Sequence, residues 1–164
     1  MPQILIACIG NILRRDDGFG VEVAKRLLSN GTLPKSVKVA ELGIAGVSLV
    51  QDLLGCRYDA LIIVDTMHRN GKPGTVYKLE VNLPEMSSFS QEQLREMLTD
   101  MHTTEPSKAL ILAKALNVLP KKVFVIGCEP ESSDELATKL SEPVEQAVDK
   151  AIEEVHNLCK IFIP

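Results

Sequence analysis

Blocks of apolar and polar positions along this chain predict five strands and five helices. A short apolar run, Gln3 to Ile9, predicts a first strand buried on both faces. Phe19 to Leu28 then places Val21, Ala24 and Leu28 on one helical stripe, with Val23 and Leu27 beside it, and Asn30-Gly31 closes that helix. Val37 to Glu41 is a brief strand that leads through Gly43 and Gly46 into a helix from about Val47 to Leu54. The most hydrophobic strand, Ala60 to Val64, ends in Asp65. After the Met67 to Pro73 loop with its Asn70-Gly71 turn, the strand Thr75 to Glu80 comes too soon for a helical crossover. An antiparallel pair and a mixed sheet are therefore expected.

In the second half, Ser90 to Gln93 has capping-box spacing and opens a short helix through Leu98. Pro106 stands in the first turn of another helix, reaching about Leu116, where a missing N–H is harmless. The short polar loop between them holds His102. Lys122 to Ile126 is the last strand and ends at Gly127-Cys128-Glu129-Pro130. Val144, Ala147, Val148, Ala151, Ile152 and Val155 recur at three and four and mark the closing helix. The expected fold is α/β, a three-layer sandwich: a twisted, mostly parallel five-stranded sheet with one antiparallel strand and helices on both faces. No repeat, low-complexity tract or linker divides it, so residues 1–164 read as a single domain large enough to bury its own core.

Composition narrows the partners. A net charge of -4, no basic run and only 4% aromatic residues without Trp argue against a nucleic-acid groove and leave a protein or a small molecule. No apolar run approaches the roughly 18 residues of a membrane span. The N-terminus enters a strand without a basic segment, long apolar region and cleavage site, so a cytoplasmic protein is expected, away from membranes. Cys8, Cys56, Cys128 and Cys159 are far apart and form no CxxC spacing, which fits a reduced compartment and mostly buried thiols.

Candidate chemistry gathers at strand ends. Asp16 and Asp17 stand in the first strand-to-helix turn, flanked by Gly10, Gly18 and Gly20; one acid can cap the helix, which leaves the other available. Asp65 closes a run, LIIVD, too apolar for an unpartnered carboxylate. With His102 these acids lie on separate loops that a doubly wound sheet brings to one edge, and together they form a plausible site for a divalent transition metal, without selecting which. His68, close behind Asp65, is a candidate supporting partner or a solvated loop residue, and His156 reads as structural. Cys8 is a candidate nucleophile with His102, but a buried strand thiol is the plainer reading. The Asp16 and Asp17 pair also permits an acid/base dyad. Arg14 and Arg15 read as solvated, or as steering an acidic segment of a partner. No Walker A, GxGxxG, GxSxG or HExxH sequence occurs.

These residues resemble a known family. GNILRRDDGFG, DALIIVD followed by GKPGTV, His102 before an apolar helix, and VIGCEPES with LSEPVEQAV look like the nickel-iron hydrogenase maturation endopeptidases, from about Ile4 to Val148. The resemblance implies an endopeptidase that removes the C-terminal extension of a hydrogenase large-subunit precursor after nickel insertion. By position, Asp17, Asp65 and His102 match that family's nickel-contacting side chains, and Asp16 matches the neighbouring acid. The nickel is then the precursor's own, and the partner is the nickel-loaded precursor. Asp16, Asp17 and Asp65 are the candidate catalytic acids. Asp65 is followed by Thr66, where the family more often has alanine. Two other readings stay open on sequence grounds: a nickel-checking binding module that does not cut, and a small-molecule hydrolase or nucleotide-binding domain on the same architecture.

Overall fold

A chain with strands apolar at every position must cover both faces of its sheet, and the computed structural model, which describes residues 1–44, 46–99 and 106–163, does so. The strands are β1 (Ile4–Ile9), β2 (Val37–Gly43), β3 (Ala60–Thr66), β4 (Val76–Glu80) and β5 (Lys122–Cys128). The helices are α1 (Phe19–Asn30), α2 (Gly46–Gly55), α3 (Gln91–Thr99), α4 (Pro106–Ala115) and α5 (Glu142–Phe162). Sheet order is β2-β1-β3-β5-β4, with all neighbours parallel except β4 and β5. Period-two alternation sorts the two cores. Ile4, Ile6, Cys8, Ile62 and Val64 pack against α1 and α5, while Leu5, Ala7, Ile9, Leu61 and Ile63 pack against α2 and α4. Among the described residues no helix is long and apolar enough to cross a membrane.

The expected antiparallel strand is β4, but its partner is β5 and not the preceding β3. β3 is buried from Ala60 through Val64 and takes parallel neighbours on both sides, whereas β4 ends in the exposed Lys78, Leu79 and Glu80, residues suited to a sheet edge. β5 therefore inserts between them. The β3–β5 ladder also runs two residues further than the apolar pattern, pairing Asp65 with Gly127 and Thr66 with Cys128. Asp65 is thus held on a strand and not in a loop.

β1 leads by way of α1 to β2 on one side, and β2 leads by way of α2 back across to β3 on the other side of β1. The crevice at the carboxyl ends of β1 and β3 is the point where strand order reverses, the usual place for a ligand in an open α/β sheet. Helix α1 closes tightly on it. A Cβ on Gly20 would lie 2.2 Å from the Ile9 carbonyl oxygen and 2.7 Å from that of Val64, so only glycine lets the helix approach both strand ends. An alanine normally stabilises a helix interior by about 1 kcal/mol over glycine. Here the sign reverses: Gly20→Ala is expected to lower unfolding free energy by roughly 2 kcal/mol in urea titrations, because backbone oxygens cannot move aside as side chains do.

Candidate active site at the β1–β3 crevice

Leaving β1, the chain turns through residues 11–14 and makes one 3-10 turn, Arg15–Gly18, before α1 begins. Gly10 allows the turn to fold back, since a Cβ there would sit 2.1 Å from the Asp17 carbonyl oxygen. The Asn11 N–H then donates to Asp17 twice, to the backbone oxygen at 3.0 Å and to Oδ2 at 3.2 Å. From the adjacent strand the Thr66 hydroxyl donates to Asp17 Oδ1 at 3.3 Å, and the Thr66 N–H donates to Asp65 Oδ1 at 2.7 Å. One threonine thus joins the two carboxylates across the crevice. Burial pushes Asp65 up to about 7 against the pull of the Thr66 N–H, and the neighbouring Asp17 charge adds to the rise.

Asp16 has a different fate from Asp17, and neither acid caps α1, whose N-cap is Gly18. Asp16 is fully buried and accepts four hydrogen bonds: the Glu131 and Ser132 N–H groups at 2.8 and 3.0 Å, and the Ser141 N–H and hydroxyl at 2.7 and 2.9 Å. Ser141 is the N-cap of α5. Asp16 therefore ties the 3-10 turn to the segment leading into α5, and its oxygens are committed to that task. Arg14 and Arg15 lie at the surface, Arg14 exposed and Arg15 half-buried, but both are paired. Arg14 pairs with Asp134 at 2.8 Å, and Arg15 with Glu131 at 3.0 Å and Glu135 at 2.6 Å. Arg15 holds this position with φ at 48°, in the left-handed region that a non-glycine residue enters only when its surroundings require it.

His102 lies outside the described residues. Among the described residues no group of three or more His, Cys, Asp or Glu side chains is placed to hold a metal ion. His68 is exposed and bonds the Ser133 hydroxyl at 3.2 Å, and His156 bonds Thr32 and the Ile152 carbonyl on α5, as a structural histidine should. Burial pushes the Cys8 thiol up to about 12, with Glu41 adding to the rise, so it is no nucleophile near neutrality.

Two participants carry no sequence signal of their own. Thr66 is one. The other is Glu129, which follows β5 and is buried. It accepts the Arg69 N–H and the Tyr77 hydroxyl, each at 2.8 Å, and thereby fixes the loop after β3. Burial pushes Glu129 up, but the bonds from Arg69, Tyr77 and Gly71 outweigh it and hold the carboxyl below its ordinary value. At the opposite, amino-terminal edge of the sheet a cleft of about 680 Å³ opens between the segments 53–59 and 117–121. Its one acid, Asp59, is committed to the Gln3 N–H at 2.7 Å, and the cleft holds no histidine.

The chain is similar to known proteins over nearly its full length. The hydrogenase maturation protease family profile matches residues 21–158. The delta subunit of coenzyme F420 hydrogenase from Methanothermobacter thermautotrophicus is 33% identical over 157 residues, covering 92% of this chain and 90% of the relative. Among solved structures, the hydrogenase maturating endopeptidase HybD from E. coli superposes with a TM-score of 0.76 at 26% identity, covering 98% of this chain and 94% of that one. The hydrogenase 2 maturation peptidase of a Thaumarchaeota archaeon does so with a TM-score of 0.68 at 32% identity, over 96% and 97% of the two chains. Both carry endopeptidase or peptidase in their names. With the profile running from α1 into α5, the chain belongs to the hydrogenase maturation protease family.

Proposed function

We propose that this protein is a cytoplasmic endopeptidase that removes the C-terminal extension of a nickel-iron hydrogenase large-subunit precursor after nickel insertion. It recognises the bound nickel through Asp17, Asp65 and His102. The observation that carries this reading is the joining of Asp17 and Asp65 through Thr66 at the strand-order reversal. Two carboxylates kept this close repel each other, and a divalent cation brought by the substrate relieves that repulsion. The donor set of two carboxylates and an imidazole suits a divalent transition metal. Family membership supports the hydrolytic half of the proposal.

The nickel is the precursor's cargo, and when it lies in the crevice it polarises a carbonyl or a water. The chain's own residues position it. Asp17, braced by the Asn11 N–H and the Thr66 hydroxyl, is the fixed contact. In the free chain burial pushes Asp65 up to about 7, and contact with the divalent nickel favours its ionised form, so docking of the loaded precursor releases the proton that Asp65 holds. Asp16 holds the turn that aims Asp17.

The test is incubation of the purified chain with nickel-loaded and nickel-free candidate precursors, followed by intact-mass measurement. Loss of a C-terminal peptide from the loaded form alone is expected. A loaded precursor that binds and stays uncut would make the protein a nickel-checking module, and cutting of both forms alike would remove the metal from recognition.

A further inference from the structure

Peptide hydrolysis places negative charge on the carbonyl oxygen, and a crevice built from carboxylates is poorly suited to receive it. A hydrogen-bond donor is therefore needed beside Asp17 and Asp65. Among the described residues two donate to these carboxylates, Asn11 and Thr66, and their donors can be followed one by one. The Thr66 hydroxyl goes to Asp17 and the Thr66 N–H to Asp65, while the Asn11 N–H goes to Asp17. What is left is the side-chain NH₂ of Asn11, from which no described residue accepts.

The turn sets the direction of that group. Asn11 Oδ1 accepts the Leu13 N–H at 3.0 Å, and only the oxygen of an amide can accept, so the NH₂ is turned away from Leu13. The Asn11 carbonyl takes the Arg14 N–H at 3.1 Å and fixes the backbone as well. Asn11 is half-buried, with its NH₂ reaching solvent. Its N–H lies 3.2 Å from Asp17 Oδ2, and the short side chain keeps the NH₂ within roughly 8 Å of the same oxygen. A donor already held in place needs no rearrangement when charge develops beside it. We propose that the Asn11 NH₂ donates to the carbonyl oxygen of the peptide bond to be cut. The proposal rests on the peptidase function given above. As the oxygen of water bonds to the carbonyl carbon, the π pair moves onto the carbonyl oxygen, where the NH₂ holds it. The pair returns as the carbon–nitrogen bond breaks; one water proton ends on the departing nitrogen and the other on the new carboxyl group. Asn11 exchanges no proton.

The test measures kcat and KM for nickel-loaded precursor, and its binding, for the wild type, Asn11→Asp and Asn11→Ser, at a temperature where urea titration shows each protein folded. Aspartate keeps the acceptor for the Leu13 N–H and adds a charge. Serine keeps a weaker acceptor and adds none, and neither presents the NH₂. Both variants are expected to lose kcat by about a hundredfold or more, the scale of one lost oxyanion donor, with KM and binding within about a factor of three of the wild type. An active Asn11→Asp overturns the proposal, because Asn11 then serves only to cap its turn. An active Asn11→Ser overturns it too, since added charge would then explain the aspartate variant. So does a loss of rate matched by an equal loss of binding, which would report a displaced turn. If the wild type binds the loaded precursor and leaves it uncut, the peptidase reading fails and this donor falls with it. If it cuts nickel-loaded and nickel-free precursors alike, nickel recognition fails and the two variants still decide the role of Asn11.

Discussion

Asp65→Asn is expected to make the protein more stable and inactive at once. Below pH 4 both the folded and the unfolded chain keep the Asp65 proton, and the group contributes no pH dependence. Between about 4 and about 7 the unfolded chain releases a proton that the folded chain retains, so stability falls as pH rises through that window. Above about 7 the full cost of holding a buried carboxylate beside Asp17 is present. Asparagine has the shape of the protonated acid and no charge. The variant should match the wild type at pH 4 and exceed it by roughly 2 kcal/mol at pH 8, read from urea midpoints at both values. Processing of nickel-loaded precursor should drop by a factor of about 10³, the scale on which lost charge contacts in active sites are felt. Equal stability of the two proteins at pH 8 would show that Asp65 is ionised without cost and that Asp17 does not press on it.

The burial behind that expectation is also what makes Asp65 stand out as a candidate in the sequence. A carboxylate at the end of LIIVD conflicts with local burial, and conflicts of this kind collect at functional sites. The layers, the strand number and the antiparallel edge were legible for a related reason, since the apolar periods of two and of three to four dictate which faces are covered. Strand neighbours were not. Whether β4 lies beside β3 or beyond β5 depends on which strand has two buried faces to protect, a comparison across the sheet and not along the chain. Thr66 was hidden because its hydroxyl acts 49 residues away, on Asp17, and a threonine after an acid has no signature of its own. The same distance blindness applies to Arg14 and Arg15. Both read locally as surface charge, and so they are, but their partners lie 116 to 120 residues further on and make the basic pair a tie between the first turn and the segment 131–135.

Asp16 and Asp17 show the limit most sharply, because two identical neighbours differ only in what reaches them from 115 to 125 residues away. The consequence is a second large effect, on folding and not on proton transfer. Asp16→Ala leaves the Glu131, Ser132 and Ser141 N–H groups without their acceptor, in a place where water does not replace it. A loss of roughly 3 kcal/mol or more is expected, with accelerated hydrogen exchange at residues 131–141. Asp16→Asn keeps the volume but turns an amide NH₂ towards groups that are themselves donors, so it should cost roughly 2 kcal/mol and not rescue the fold. Both variants should process precursor slowly because Asp17 loses its footing, and the defect should shrink on cooling as the folded population recovers. A general base at Asp16 demands the reverse pattern: Asp16→Asn would fold normally, show undisturbed exchange at 131–141, and lose its rate at every temperature. Four acceptor bonds on a fully buried carboxylate favour the first outcome: of the two acids, Asp16 holds the turn in place, which leaves Asp17 for the proposed contact with the metal.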